Sequence, residues 1–176
     1  WLLKNIGNES SDIRDTLVFT LLARGISEGG FSLPQYLYIK EKTISDNLIF
    51  YHIEKNLPYT LTRSFATLLN GFIIQVDNDS HSPYYDLLSV PEKAYFFNTA
   101  VTYLQKEHDK TGFSSSYGWV HAFAHGGEYL SKAVMHNQFE KERMTDVLAN
   151  VASILNSLMA VSYPLLTLPT TYSLSF

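Results

Sequence analysis

Three polar residues between Gly118 and Leu130 carry side chains that can bind a metal ion or move a proton: His121, His125 and Glu128. Their spacing of four and then three residues predicts that all three lie on one face of a helix that begins near Gly118. Two imidazoles and one carboxylate on a common face supply three ligands for a divalent metal ion and leave an open position for water.

Two carboxylates precede these histidines, at the predicted end of another helix. Glu107 and Asp109 are followed by a turn that contains Gly112. If the turn brings the carboxylates opposite His121 and His125, an imidazole and a carboxylate can share a proton, as a catalytic acid or base requires. A structural interpretation stands beside it, in which the imidazoles donate hydrogen bonds to the carboxylates and latch the two helices together. The sequence leaves the catalytic, metal-binding and latch interpretations open.

Three residues are candidates for contact with a ligand. Arg63 lies on the polar side of an otherwise apolar helix, where its guanidinium can form a fork onto a carboxylate or phosphate, or bridge neighbouring helices. Trp119 can stack on a ligand or anchor the start of its helix. Glu128 completes this hypothetical ligand-binding set.

Several common chemistries lack their sequence signatures. The chain contains no GxGxxG, no GxxxxGK[ST] and no GxSxG pattern, which argues against dinucleotide, P-loop and hydrolase-elbow sites. The metalloprotease pattern needs a glutamate directly after the first histidine, and Ala122 stands there instead. Cysteine is absent, which excludes disulfides, thiolate zinc sites and cysteine nucleophiles. No cofactor is expected, with a divalent metal ion as the alternative.

The net charge of the chain indicates which kinds of partner it can bind. The 13 Lys and Arg residues and 17 Asp and Glu residues give a net charge of −4 without a basic cluster, so no nucleic-acid partner is expected.

The long uncharged run at 147–176 contains polar residues and two prolines, and it predicts a core helix and an irregular tail at 164–176 rather than a membrane span. We expect a cytoplasmic protein that binds another protein or a small molecule. Because the chain opens on Trp1 rather than Met, we expect its native N-terminus to be missing.

Apolar residues at helical spacing indicate the elements that position these side chains. A helix capped by Thr60 has the clearest apolar stripe, with Leu61, Phe65, Leu69 and Phe72. Other helices are predicted from Ser10 or Ser11 to Gly25, from Ser32 onward with an early proline, from the capping box of Ser89 and Glu92 to about His108, and from about Glu140 to Pro164.

These helices predict an all-α fold, with residues 1–176 forming one domain. Long apolar stripes joined by loops of moderate length favour antiparallel helix pairs. The pairs can stack as a right-handed array of the HEAT or armadillo type, or close into a compact helical bundle. The sequence has no clean internal period, so periodicity alone does not select the array.

Four stretches resemble a known family in their order along the chain: IGNESSDIRDTLVFTLLARGI, LTRSFATLLNGFI, YLQKEHDKTGF and YGWVHAFAHGGEYL. They are similar to a bacterial family, domain of unknown function 2785, over most of residues 2–139. The resemblance implies an all-helical, HEAT-like protein and carries over no reaction. Two departures stand out: Lys110 and Thr111 replace the arginine region usual before Gly112, and Glu128 replaces a common aspartate. The first weakens any anion contact there, and the second keeps the charge on a longer side chain.

Overall fold

A computed structural model describes residues 1–162, with side chains described through residue 158. Six α-helices form most of this part of the chain. Their bounds are α1, Thr20–Ser27; α2, Leu33–Ser45; α3, Tyr59–Asn78; α4, Val90–Lys106; α5, Ala122–Val134; and α6, Met144–Ser162. Short 3₁₀ turns lie at Leu3–Asn5, Leu48–Phe50 and Lys141–Arg143. The tail predicted at 164–176 lies outside the described residues.

Two helices begin with the caps that the sequence predicts. The Ser89 hydroxyl and backbone N–H both donate to the Glu92 carboxylate at the start of α4, at 2.7 and 2.8 Å. Ser32 caps α2 together with Gln35, and a proline occupies the first turn of each helix. These predictions are confirmed because a capping box depends only on residues within one turn of each other.

Three predicted helix starts or ends are wrong. The first helix continues through Gly25 to Ser27, and the residues before it, Asp12–Phe19, form a π-helix. Helix α3 begins at Tyr59, so Thr60 lies inside it and uses its hydroxyl on a distant carboxylate instead of capping. Helix α5 begins at Ala122 rather than near Gly118, since residues 113–119 form a small hairpin.

Helix α3 lies at the centre of the fold, and α5 packs along it in parallel. Ser64 near the start of α3 contacts His125 near the start of α5. Asp77 near the end of α3 contacts His136, just beyond the end of α5. The π-helix also packs on α3, where Phe19 contacts Phe65 and Phe72, the same two rings that meet His125 and Lys132 of α5. We refer to α3 and α5 as the first layer.

Helix α4 runs antiparallel to α3 and belongs to a second layer. Its C-terminal neighbour Glu107 pairs with Arg63 near the start of α3, whereas Leu88, just before α4, donates its N–H to Asp77 near the end of α3. Helix α6 runs alongside α4, and the Lys110 ammonium donates to the Ser157 carbonyl at 3.2 Å.

The core lies between these layers and confirms a mainly helical fold. Its fully buried members include Leu61, Ile73, Phe96, Tyr103 and Tyr129. Within residues 1–162, no helix combines the length and the apolar character that crossing a membrane requires.

Candidate functional site

A two-stranded hairpin presents an exposed tryptophan above the π-helix. Strands β1, Phe113–Ser114, and β2, Gly118–Trp119, pair antiparallel, with Phe113 opposite Trp119. Gly118 has φ +74°, a left-handed conformation that glycine adopts without steric cost. The rings of Phe113 and Trp119 meet edge to face at 5.0 Å, and the two side chains are 58% and 55% exposed.

Arg14 holds this hairpin from below. Its side chain is fully buried, and Nη2 donates to the carbonyls of Tyr117, at 2.6 Å, and Trp119, at 3.2 Å. Nε pairs with the carboxylate of Asp15 at 2.7 Å. Burial lowers the pKa of Arg14, and the Asp15 carboxylate opposes that shift. A buried cation thus holds the backbone that carries Trp119.

His121 is not on the helix with His125, contrary to the sequence prediction. It is the residue before α5 and has φ 48°, which few residues other than glycine adopt. Its ring stacks on Trp119 at 4.6 Å and 10°. It also meets the His125 ring at 5.9 Å and 62°, so the two imidazoles are close despite lying on different elements. We refer to Phe113, Trp119, His121 and His125 as the aromatic platform.

His125 is attached to α3 through Ser64. The Ser64 hydroxyl donates its proton to the Val120 carbonyl, and the same oxygen lies 2.8 Å from Nδ1 of His125. Because a hydroxyl has only one proton, Oγ must accept from Nδ1–H. The neutral imidazole then carries its lone pair on Nε2.

Nε2 of His125 forms no hydrogen bond within the part of the chain that the structure describes. It is not one of the fully enclosed polar atoms without a partner, so it keeps some contact with solvent. Burial lowers the pKa of His125 to about 4, and the neighbouring His121 adds to this shift, while Glu128 opposes it. The partly buried ring is therefore neutral at neutral pH and presents a hydrogen-bond acceptor.

Glu107 does not face the histidines. Its carboxylate forms a two-point contact with Arg63, with Nε to Oε2 at 2.8 Å and Nη2 to Oε1 at 2.9 Å, and both side chains are fully buried. The Tyr103 hydroxyl adds a bond at 3.0 Å. Arg63 also donates to the carbonyls of Tyr51 and His52, so it bridges helices instead of facing solvent for a ligand.

Asp109 is likewise bonded to other elements. It accepts from the Thr60 hydroxyl at 2.6 Å, the Leu57 N–H at 3.1 Å, and both the hydroxyl and N–H of Thr111. Burial by itself raises the pKa of Asp109, but the hydrogen bonds from Thr111, Thr60 and Leu57 outweigh it and leave the pKa lowered. The predicted latch between histidines and carboxylates is wrong in its partners: Arg63 and Thr60 bind the carboxylates, and Ser64 binds His125.

Glu128 is exposed and forms an ion pair with Lys132 at 3.1 Å, one turn along α5. Within residues 1–162, no group of three or more His, Asp or Glu side chains is placed to hold a metal ion. The set of His121, His125 and Glu128 therefore does not form the three-ligand arrangement of the metal alternative, because the two imidazoles are close to each other but the Glu128 carboxylate is exposed and paired with Lys132.

Comparison with family models places these residues in a known family. The model described as Protein of unknown function (DUF2785) matches residues 49–164. The chain belongs to this family. Searches of curated proteins and of solved structures each found no match. The matched part of this DUF2785 chain contains α3, α4, α5 and the whole aromatic platform, whereas Arg14 lies before it.

Sequence reasoning missed two contacts that shape the site in this DUF2785 chain. Ser64 stands beside Arg63 in the sequence as a second polar residue, and the structure shows that it determines which nitrogen of His125 is protonated. Phe113 was not singled out, although it packs on Trp119. The one available signal was the polar pair of Arg63 and Ser64 within an apolar helix.

Proposed function

We propose that this DUF2785 domain is a helical binding module that holds a small planar ligand on the aromatic platform. The observation that carries the proposal is the support beneath Trp119. A buried arginine, Arg14, is bonded to the carbonyls of Tyr117 and Trp119, and it holds a largely exposed tryptophan in place. Burying a charge is costly unless it is paired or hydrogen-bonded, so Arg14 must keep its bonds to these carbonyls. Those bonds fix the position of the hairpin.

The exposed rings supply the binding surface. Phe113 and Trp119 are each more than half exposed, and His121 stacks on Trp119, so the rings form a continuous surface. Exposed aromatic groups with a fixed orientation offer π-faces for stacking at a small cost in side-chain entropy. Nε2 of His125, on the ring next to His121, adds an acceptor for a directional hydrogen bond.

The bonding of the polar groups favours binding over the alternative function, a hydrolase-like enzyme that uses His121 or His125 with nearby carboxylates. Ser64 is fully buried and its proton is donated to the Val120 carbonyl, so it is a poor nucleophile. Glu107 and Asp109 are bonded to α3 and its flanking loop, and neither supports an imidazole as a base. His125, with a pKa of about 4, is a weak base at neutral pH.

The proposal includes a HEAT-like array of helix pairs as the scaffold. Its support is the parallel course of α3 and α5 in one layer and of α4 and α6 in the other, which is the relation between successive pairs in such arrays. We place the protein in the cytoplasm because it lacks cysteine. We expect no nucleic-acid partner because its net charge is −4.

Tryptophan fluorescence tests the platform. The chain has 2 tryptophans, so Trp1→Phe leaves Trp119 as the only emitter. Titration of this variant with small planar heteroaromatic fragments should change the Trp119 emission in a saturable way. The matched control, Trp119→Phe, retains Trp1 beside an apolar cleft near the first turn, and its emission should not follow the same titration. A response from Trp1 alone would contradict the proposal.

A further inference from the structure

We infer that the ligand of the aromatic platform is a planar molecule that donates an N–H or O–H bond to Nε2 of His125 and has no anionic group at that end. This inference rests on the proposed function and names its ligand class. It excludes ligands that would approach His125 through a carboxylate or phosphate.

The single proton of the Ser64 hydroxyl determines which nitrogen of His125 carries a proton. The Val120 carbonyl can only accept, so the Ser64 proton is committed to it. Nδ1 of His125 must then supply the proton between itself and Ser64 Oγ, over 2.8 Å. A neutral imidazole has one ring proton, which leaves Nε2 as an acceptor that can receive a hydrogen bond but cannot donate one.

Neighbouring charges do not convert His125 into a donor. Its pKa is lowered to about 4 by burial and by His121, so protonation is disfavoured at neutral pH. Arg14, on the π-helix, is bonded to Asp15 and to two carbonyls. Lys132 on α5 is paired with the exposed Glu128. The negative charge of Glu128, three residues after His125, further disfavours an anion.

The N-terminus of α5 favours an anionic ligand, in contrast to the groups around Nε2. The first N–H groups of α5, after His121, form a helix N-terminus, which attracts negative charge. A ligand that met these groups instead of Nε2 would be an anion. An experiment therefore has to compare a donor and an anion on the same molecular frame.

Benzamidine, benzamide and benzoate provide that comparison. They share a planar phenyl frame and place, in turn, a cationic donor, a neutral donor and an anionic acceptor at one end. Titrated into the Trp1→Phe variant, benzamidine and benzamide should bind at least about tenfold more tightly than benzoate, the scale of one hydrogen bond to an acceptor. Equal or tighter binding of benzoate overturns the inference while leaving the platform as a binding surface. Failure of all three to bind overturns the proposed function as well.

The imidazole nitrogens provide a second measurement that needs no variant of His125. In the free protein, ¹⁵N spectra of the histidine side chains should show His125 protonated at Nδ1 and unprotonated at Nε2, and benzamidine should shift the Nε2 signal. A proton on Nε2 in the free protein would overturn the inference.

A substitution tests the same acceptor. His125→Phe keeps a ring but removes the acceptor, and it should abolish the preference over benzoate. His108→Phe, at an exposed position away from the platform, is the matched control.

Discussion

At the scale of single residues, His125 is defined by the atoms that surround its ring. Ser64 accepts from Nδ1, Phe65 packs edge to face against the ring at 5.5 Å, and His121 lies beside it. Desolvation by this packing disfavours the charged form, because a buried imidazolium loses more hydration than a neutral imidazole. The residue that appeared in the sequence as a metal ligand or general base is therefore a neutral acceptor.

This environment predicts a pH dependence of stability. In the unfolded chain His125 takes up a proton near the ordinary value of 6.5, and in the folded chain near a pKa of about 4. Between these values the unfolded state binds more protons, so the free energy of unfolding falls as the pH is lowered. We expect a loss of about 2 kcal/mol between about pH 6.5 and about pH 4.5 from this group, measured by urea unfolding.

The control for this prediction is a pair of variants. His125→Gln should remove that part of the pH dependence, while His108→Gln, at an exposed position, should retain it. The same slope in His125→Gln as in the unmodified protein would show that other groups cause the loss.

At the scale of elements, the contact of α5 with α4 depends on one glycine of an adjacent pair. A Cβ on Gly126 would lie 2.6 Å from Leu104 Cδ2 and 2.7 Å from Tyr103 Cδ1. A Cβ on Gly127 would meet nothing within 4 Å. Close packing therefore requires a glycine at position 126 and not at position 127.

These two glycines provide a matched test of helix packing. Gly126→Ala should destabilise the fold by about 1–3 kcal/mol, since Leu104 and the buried Tyr103 have to move. Gly127→Ala should stabilise it by about 0.5–1 kcal/mol, because alanine loses less backbone entropy in a helix. Thermal or urea unfolding of both variants measures the difference. Equal effects of the two substitutions would mean that α5 does not pack on α4 through the Gly126 face.

At the scale of the whole molecule, Arg63 and Glu107 tie the two layers together. Arg63 belongs to the layer of α3 and Glu107 follows α4, and Arg63 also binds the carbonyls of Tyr51 and His52 from the preceding turn. One guanidinium thus connects three parts of the chain. Such a pair enforces a particular arrangement, since either charge alone would be buried without compensation.

Breaking this pair should have a large effect on stability. Arg63→Met leaves the Glu107 carboxylate buried without its cation, and we expect a loss of about 3–5 kcal/mol in the free energy of unfolding. The matched control is Arg24→Met, which removes an exposed ion pair with Glu28 and should leave the free energy of unfolding nearly unchanged, because solvent screens that pair. A loss below about 1 kcal/mol for Arg63→Met would contradict the role of the pair, and recovery in the double variant with Glu107→Leu would support it.

Features that depend on neighbours within a few residues could be predicted from the sequence. Apolar residues at helical spacing predicted the buried helix α3, and Ser89 with Glu92 predicted the start of α4. Family membership was also predictable, because the motif around Trp119 and His121 is a local pattern of residues.

The site could not be predicted from the sequence, because its contacts join residues that are far apart in the chain. Arg63 and Glu107 are separated by 44 positions, Ser64 and His125 by 61, and Arg14 and Trp119 by 105. Local spacing placed His121 on the helix of His125, but the hairpin held by Arg14 removes it from that helix. The partners of a buried charge or a ring nitrogen are set by packing between layers, which no pattern of local spacing specifies.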